Sequence, residues 1–369
     1  MNRGPTVGVL SPLVGGFYFG GVLSGINAAA RARDGTVLAV QTFDAGVEHT
    51  DYHRPPRFTE RIGWAHFDGV IVVVNAVDPD DLAMLVDSGK PIVMVSNDLD
   101  MGCSTVAPDN AGGISAAVDH LVAHGHSRIG FVGCLSRTDL RERYEAYLDA
   151  MKKHGLSTAR SLHHEVDDSD EQGGRQAGRA LLAAGIPSTA LIAATDRNAL
   201  GLMQCLSDAG LTLPRDQAII GFDDTEAAEH AVPRLTSIRQ DFREVGRTAA
   251  DVLLDELQGV ARSPSARRVP TTLVQRESCG CGRADAPLGA VTRITTRKNA
   301  QAQLRQALDL AVRRGAARSS SEPVALGQAV DLIVAELSAA VDDGPRVPGP
   351  DLNLAMRDLL RISPSVDVV

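Results

Sequence analysis

The sequence predicts an α/β protein of two doubly wound, Rossmann-like lobes with a ligand cleft between them, followed by a C-terminal helical extension. Three observations carry this. First, short continuous apolar runs recur along the chain: Val7–Leu10, Val37–Thr42, Gly69–Val74, Pro91–Ser96, Ile129–Val132, Ala190–Ala194 and Ala218–Gly221. Runs without polar alternation, bounded by turns, suit strands buried on both faces. Second, segments of helical period separate them. Val22, Leu23, Ile26, Ala29 and Ala30 share one face, and 112–123 forms a longer helix. Strand–helix alternation of this kind builds parallel sheets with helices on both sides. Third, roughly eight or more strands over ~280 residues exceed what one sheet comfortably holds. Two lobes are the economical answer.

The α/β unit is read as 6–283. Its first lobe takes about 6–124 and 240–261, and its second about 129–237 and 269–283. Crossovers are expected near Gly125–Arg128, Ser237–Gln240 and Arg262–Val269. Residues 284–296 read as a linker, and 297–369 as a helical extension serving dimerisation or belonging to a truncated signalling region. In that extension Leu326, Val330, Ile333, Val334, Leu337 and Val341 form an apolar stripe.

Composition narrows the function. A net charge of −9 with no dense basic block gives no footprint for nucleic acid. No apolar run approaches the ~20 residues that span a bilayer. The first twelve residues lack a signal peptide's h-region and cleavage site. Five cysteines in a long chain do not read as a disulfide framework. These features fit a cytoplasmic protein. No nucleophile elbow, phosphate-binding loop or carboxylate pair appears, so the chain is not expected to be an enzyme and no cofactor is implied.

Open α/β sheets bind ligands at the carboxyl ends of their strands, which directs attention to the residues after Leu10, Val74, Val132, Ala194 and Phe222. Arg143 offers five donors in a rigid fork, or else pairs with Glu142 or Asp139 at the surface. Asp223 can accept two hydroxyl hydrogen bonds, while Asp224 caps or ends a loop. Phe17 and Tyr18, after Ser11, provide stacking faces and one polar handle, and Phe19 is assigned to the core. Asp109 is either a helix cap or a ligand contact. His120 and His124 stand four apart on a helix, a metal-holding spacing, but are read as surface histidines. Cys279-Gly-Cys281 lacks two further ligands in sequence, so no metal is expected.

Several motifs occur in a family's order over about 275 residues: Asp68-Gly-Val-Ile71, Asp109-Asn-Ala-Gly-Gly113, Gly125-His-Ser-Arg-Ile129, Glu142-Arg143, Thr195-Asp196, Gly221-Phe-Asp-Asp224, Pro233-Arg-Leu-Thr-Ser-Ile238 and Arg276-Glu-Ser278. In these the chain resembles the ligand-binding core of LacI/GalR-type regulators, which have a periplasmic-binding-protein-like fold. The resemblance implies a small-molecule sensor for a sugar, polyol or nucleoside, acting by lobe closure and working as a homodimer. It implies Ser11, Phe17, Tyr18, Asp109, Arg143, Thr195, Asp196 and Asp223 as ligand contacts. Thr195 stands where the family commonly has Asn, which puts the ligand class in question. Only six residues precede Val7, too few for the family's helix-turn-helix head, so no direct DNA binding is expected. The Arg276-Glu-Ser-Cys-Gly-Cys281 ending resembles sensor cores that precede signalling outputs, whose partner would lie elsewhere. Two alternatives stand beside this reading. One is a ligand-independent dimerisation module with a degenerate site. The other is a regulator reaching DNA through a partner or through a helix-turn-helix missing from this chain.

Overall fold

A computed structural model describes residues 4–43, 63–97, 101–260 and 263–281. The chain divides into two units, Met1–Ala284 and Asp285–Val369. The second unit, with the expected linker and helical extension, lies outside the described residues.

Two six-stranded sheets organise the first unit. The first sheet contains β1 (Thr6–Ser11), β2 (Thr36–Gln41), β3 (Gly69–Val73), β4 (Ile92–Val95), β5 (Ser104–Pro108) and β11 (Ala266–Val269) in the order β11-β5-β4-β3-β1-β2. All of its pairings are parallel, with Val9 opposite Ile71 and Val93 opposite Ser104. The second contains β6 (Ile129–Gly133), β7 (His163–Glu165), β8 (Ala190–Ala193), β9 (Ala218–Asp223), β10 (Thr236–Gln240) and β12 (Thr271–Val274), ordered β12-β10-β9-β8-β6-β7. Only β12 runs antiparallel to its neighbour. The central strands of both sheets are buried along their length, as continuous Val/Ile/Leu runs require.

Helices α1 (Phe17–Ala32) and α8 (Phe242–Leu257) cover one face of the first sheet, and α2 (Pro79–Asp87) packs into the core on the other. The α1–α8 crossing is close because both helices carry glycine at the contact. A Cβ on Gly25 would stand 1.9 Å from the Arg243 carbonyl oxygen, and one on Gly246 2.0 Å from that of Val22. The second sheet is flanked by α3 (Asn110–Ala123), α4 (Thr138–Lys153), α5 (Glu171–Ala183) and α6 (Asp196–Asp208), with the short α7 (Glu226–His230) after β9.

The structure corrects the lobe boundaries at three points. Helix α3, expected in the first lobe, buries Ile114, Ala117, Val118 and Leu121 in the core of the second. Its Gly113 faces Ile238 and Thr271 at distances that leave no room for a Cβ. The chain therefore leaves the first lobe at Asp109, not Gly125. Ser237–Gln240, expected as a crossover, is strand β10, and Ala266–Val269 is an edge strand of the first sheet rather than a connector. Both strands are short and partly polar, which hides them from a search for apolar runs.

Candidate functional site

The carboxyl ends of the strands meet at a cavity of about 140 Å³ between the lobes. Two of its lining residues have left-handed backbone: Val74 after β3 has φ 46°, and Asp223 at the end of β9 has φ 117°. A β-branched residue in the left-handed region is a true outlier, and such strain gathers at binding sites.

Arg143 lies near the centre. It is 2% exposed; Nε donates to Asn110 Oδ1 at 3.0 Å and Nη1 to the Ala194 carbonyl at 2.6 Å. Its guanidinium lies 3.6 Å above the Phe222 ring and within 3.6 and 3.9 Å of the Asp223 and Asp139 carboxylates. The surface pairing with Glu142 does not form, because Glu142 turns away to Asn110 and to Arg268 of β11. Asp139, which also lines the cavity, takes a bidentate pair from Arg137 at 2.7 and 3.1 Å. Burial opposes its charge, yet Arg137 and Arg143 outweigh that and hold its carboxyl below the usual range. Asp223 accepts from Gln240 Nε2 at 2.6 Å, and burial pushes its carboxyl above the usual range against the pull of Arg143.

Thr195 lines the cavity and caps α6, accepting from Asn198 N at 3.1 Å and donating to Ser169 O at 2.8 Å. Phe17, 53% exposed, and Tyr18 form the opposite wall, both edge-on to Phe242. The Tyr18 hydroxyl is buried, and burial pushes it up to about 12 against the opposing pull of Ser96. Phe19, assigned to the core, also reaches the cavity.

Three expected contacts are not part of this wall. Ser11 is fully buried and donates to the Leu13 carbonyl at 2.7 Å. Asp109 is the N-cap of α3, accepting from Gly112 N at 2.9 Å. Asp196 sits beneath the cavity, where Ser237 Oγ and Thr225 N donate to it at 2.6 and 2.7 Å. Burial, then the neighbouring Asp223 charge, raise its carboxyl above the usual range. Each is a short polar residue at a strand or helix end, where local backbone groups compete successfully for its oxygens.

Sequence reasoning missed Asp168, Asp170, Arg197 and Gln240, all of which line the cavity. Arg197 pairs with Asp170 at 2.5 Å and with Glu171 at 2.8 Å. The strand-end rule leads to Asp168 and Asp170, but β7 reads His-His-Glu and carries no apolar signal. Away from the cavity, His120, His124 and Cys281 converge, with Cys279 beside them, although sequence spacing argued against a shared site.

The lining carries three arginines (137, 143, 197) and four aspartates (139, 168, 170, 223), with each arginine set against an aspartate. Charges of both signs, paired with one another on one wall, and aromatic faces on the other suit a neutral, hydroxyl-rich molecule.

A periplasmic binding protein-like domain model matches residues 118–279. The HTH-type transcriptional regulator CelR of Thermobifida fusca is 30% identical over 265 residues, covering 71% of this chain and 76% of CelR. The HTH-type transcriptional repressor PurR of Actinobacillus pleuropneumoniae is 32% identical over 193 residues, 52% of this chain; the match spans 57% of that repressor's length. A crystal structure of a LacI family transcriptional regulator from Enterococcus faecium with bound ribose superposes with TM-score 0.61 at 25% identity, covering 74% of this chain and 98% of that one. Among the described residues no helix is long and apolar enough to cross a membrane.

Proposed function

Because this chain belongs to the LacI family of transcriptional regulators, we propose that it is a cytoplasmic sensing module that binds a neutral sugar, polyol or nucleoside between its lobes. The carrying observation is the cavity itself, with Phe17 and Tyr18 on one lobe facing Arg143, Asp139 and Asp223 on the other. A ligand touching both walls gains contacts only when the lobes are together, so it shifts the population toward the closed form by its differential affinity. The ribose bound to the Enterococcus faecium regulator is a ligand of the class we assign here. Its output passes to a transcription or signalling partner, and the working form is a homodimer.

Isothermal titration against a panel of sugars, nucleosides and sugar acids tests this. One neutral member is expected to bind, and its binding is expected to vanish in Arg143→Ala and Asp223→Ala. A folded wild type that binds no panel member, or unchanged binding in both variants, overturns the reading.

A second reading, a dimerisation module whose site no longer takes ligand, is favoured by Thr195. Its hydroxyl already accepts from Asn198 N and donates to Ser169 O, leaving it no proton for a ligand. A folded Thr195→Asn variant that gains no binding, together with a wild type that has none, supports this alternative.

A further inference from the structure

Among the described residues, the second lobe brings His120 of α3 and His124, the C-cap of that helix, against Cys281 after β12, with Cys279 beside His120. Cys281 Sγ lies 3.5 Å from His120 Nε2 and 3.3 Å from His124 Nε2, and Cys279 Sγ lies 3.2 Å from His120 Nε2. A tetrahedral zinc ion with bonds of about 2.0–2.1 Å to nitrogen and about 2.3 Å to sulfur has ligand–ligand edges of roughly 3.3–3.8 Å. The separations among His120, His124 and Cys281 lie at that scale, and Cys279 Sγ reaches His120 Nε2 at slightly less. Two soft thiol and two imidazole donors are the set that zinc(II) or cobalt(II) favours.

The local chain is built for this convergence. His120 in the last turn of α3 and His124 at its C-cap stand one turn apart, their ring centroids 4.5 Å apart and their planes tilted by 48°. Between the cysteines, Gly280 has φ 95°, a left-handed conformation that a side chain would resist, and it turns both sulfurs toward the helix. The surroundings also fit. Thr236 Oγ1 donates to Cys279 Sγ at 3.0 Å, the polarity a thiolate wants. The Gln275 amide lies 3.5 Å from His120 Nδ1 and 4.0 Å from Cys281 Sγ.

We propose that His120, His124, Cys279 and Cys281 form a four-coordinate site for a zinc-class divalent ion, which staples the segment after β12 to helix α3. Binding displaces two thiol protons to solvent, and each of the four side chains contributes one bond to the ion. All four positions are filled by protein, so the site is structural and leaves no open position for catalysis. It lies apart from the ligand cavity, and it stands or falls independently of the function proposed above.

Cobalt(II) titration of the full chain, reduced and stripped with chelator, is the test. Expected are one ion per chain, a thiolate-to-cobalt charge-transfer absorption with intense tetrahedral visible bands, and displacement by zinc(II) with a rise in Tm. Cys281→Ser and His124→Ala, at partly or fully exposed positions, are expected to lose the absorption and the Tm rise while keeping the wild-type circular dichroism. Cobalt that binds without the charge-transfer absorption, or absorption undiminished in both variants, overturns the proposal.

Discussion

The two walls of the cavity are made of different matter. The first lobe contributes Phe17, Tyr18, Phe19 and Val74, whereas the second contributes nearly all of the charge. The difference extends to how each wall is held. Arg143, Asp139 and Asp223 are fixed by one another and by Asn110, Ala194 and Gln240, so their geometry is set before any ligand arrives. Phe17 is half exposed and rests edge-on against Phe242. On the proposed function, the charged lobe would select the ligand and the aromatic lobe would cover it. Preorganised polar groups give discrimination, and aromatic faces give tolerant area.

The largest effect expected to break this comparison is Arg143→Ala. It leaves two buried carboxylates without their shared cation, and a broken buried pair costs about 3–5 kcal/mol. Urea unfolding is expected to show that loss together with abolished ligand binding; a variant as stable as wild type refutes the preorganised wall. Asp223→Asn comes next. Losing charge-assisted hydrogen bonds to ligand hydroxyls costs about 1.5–3 kcal/mol of affinity, measured by calorimetry on the panel member that binds. Stability should change little, because burial already disfavours that charge.

Asp196 supplies the pH test. Its folded-state value is raised to about 7, so the fold prefers the protonated acid. That contribution is full below the ordinary carboxylate value of about 3.9 and is lost as the pH rises through about 7. Melting curves across that window should show this decline in wild type and a flatter profile in Asp196→Asn; equal slopes refute it. Phe17→Ala sharpens the other wall with the smallest effect. An aromatic contact is worth about 0.5–1.5 kcal/mol, so affinity should fall several-fold while the Tm hardly moves.

Much of the fold was legible because buried parallel strands leave continuous apolar runs, as in Gly69–Val73 and Ala190–Ala193. The polar edge strands β7 and β11 leave none, and with β7 went the route to Asp168 and Asp170. Arg143, Asp223, Thr195, Phe17 and Tyr18 were legible as residues following strands or opening helices. Ser11, Asp109 and Asp196 have the same sequence signature, but nearby backbone and hydroxyl donors and acceptors engage them first. Sequence spacing does not say which oxygen a neighbour will claim. Nor does it say that a helix and a strand tail more than a hundred residues apart will meet, as His124 and Cys281 do.

The interleaving of the lobes has a consequence for how the protein is made. The first lobe's core takes Ala249, Ala250, Leu253 and Leu254 from α8, and its sheet is completed by β11 at Val269. The second lobe's sheet is completed by β12, ending at Val274. A ribosome moving from the amino terminus thus releases most of both sheets long before either can finish. The two lobes become complete almost together, within the synthesis of the same short stretch. Until then the apolar face of α1 has no α8 to cover it, and the nascent chain depends on delayed partners rather than on neighbours in sequence.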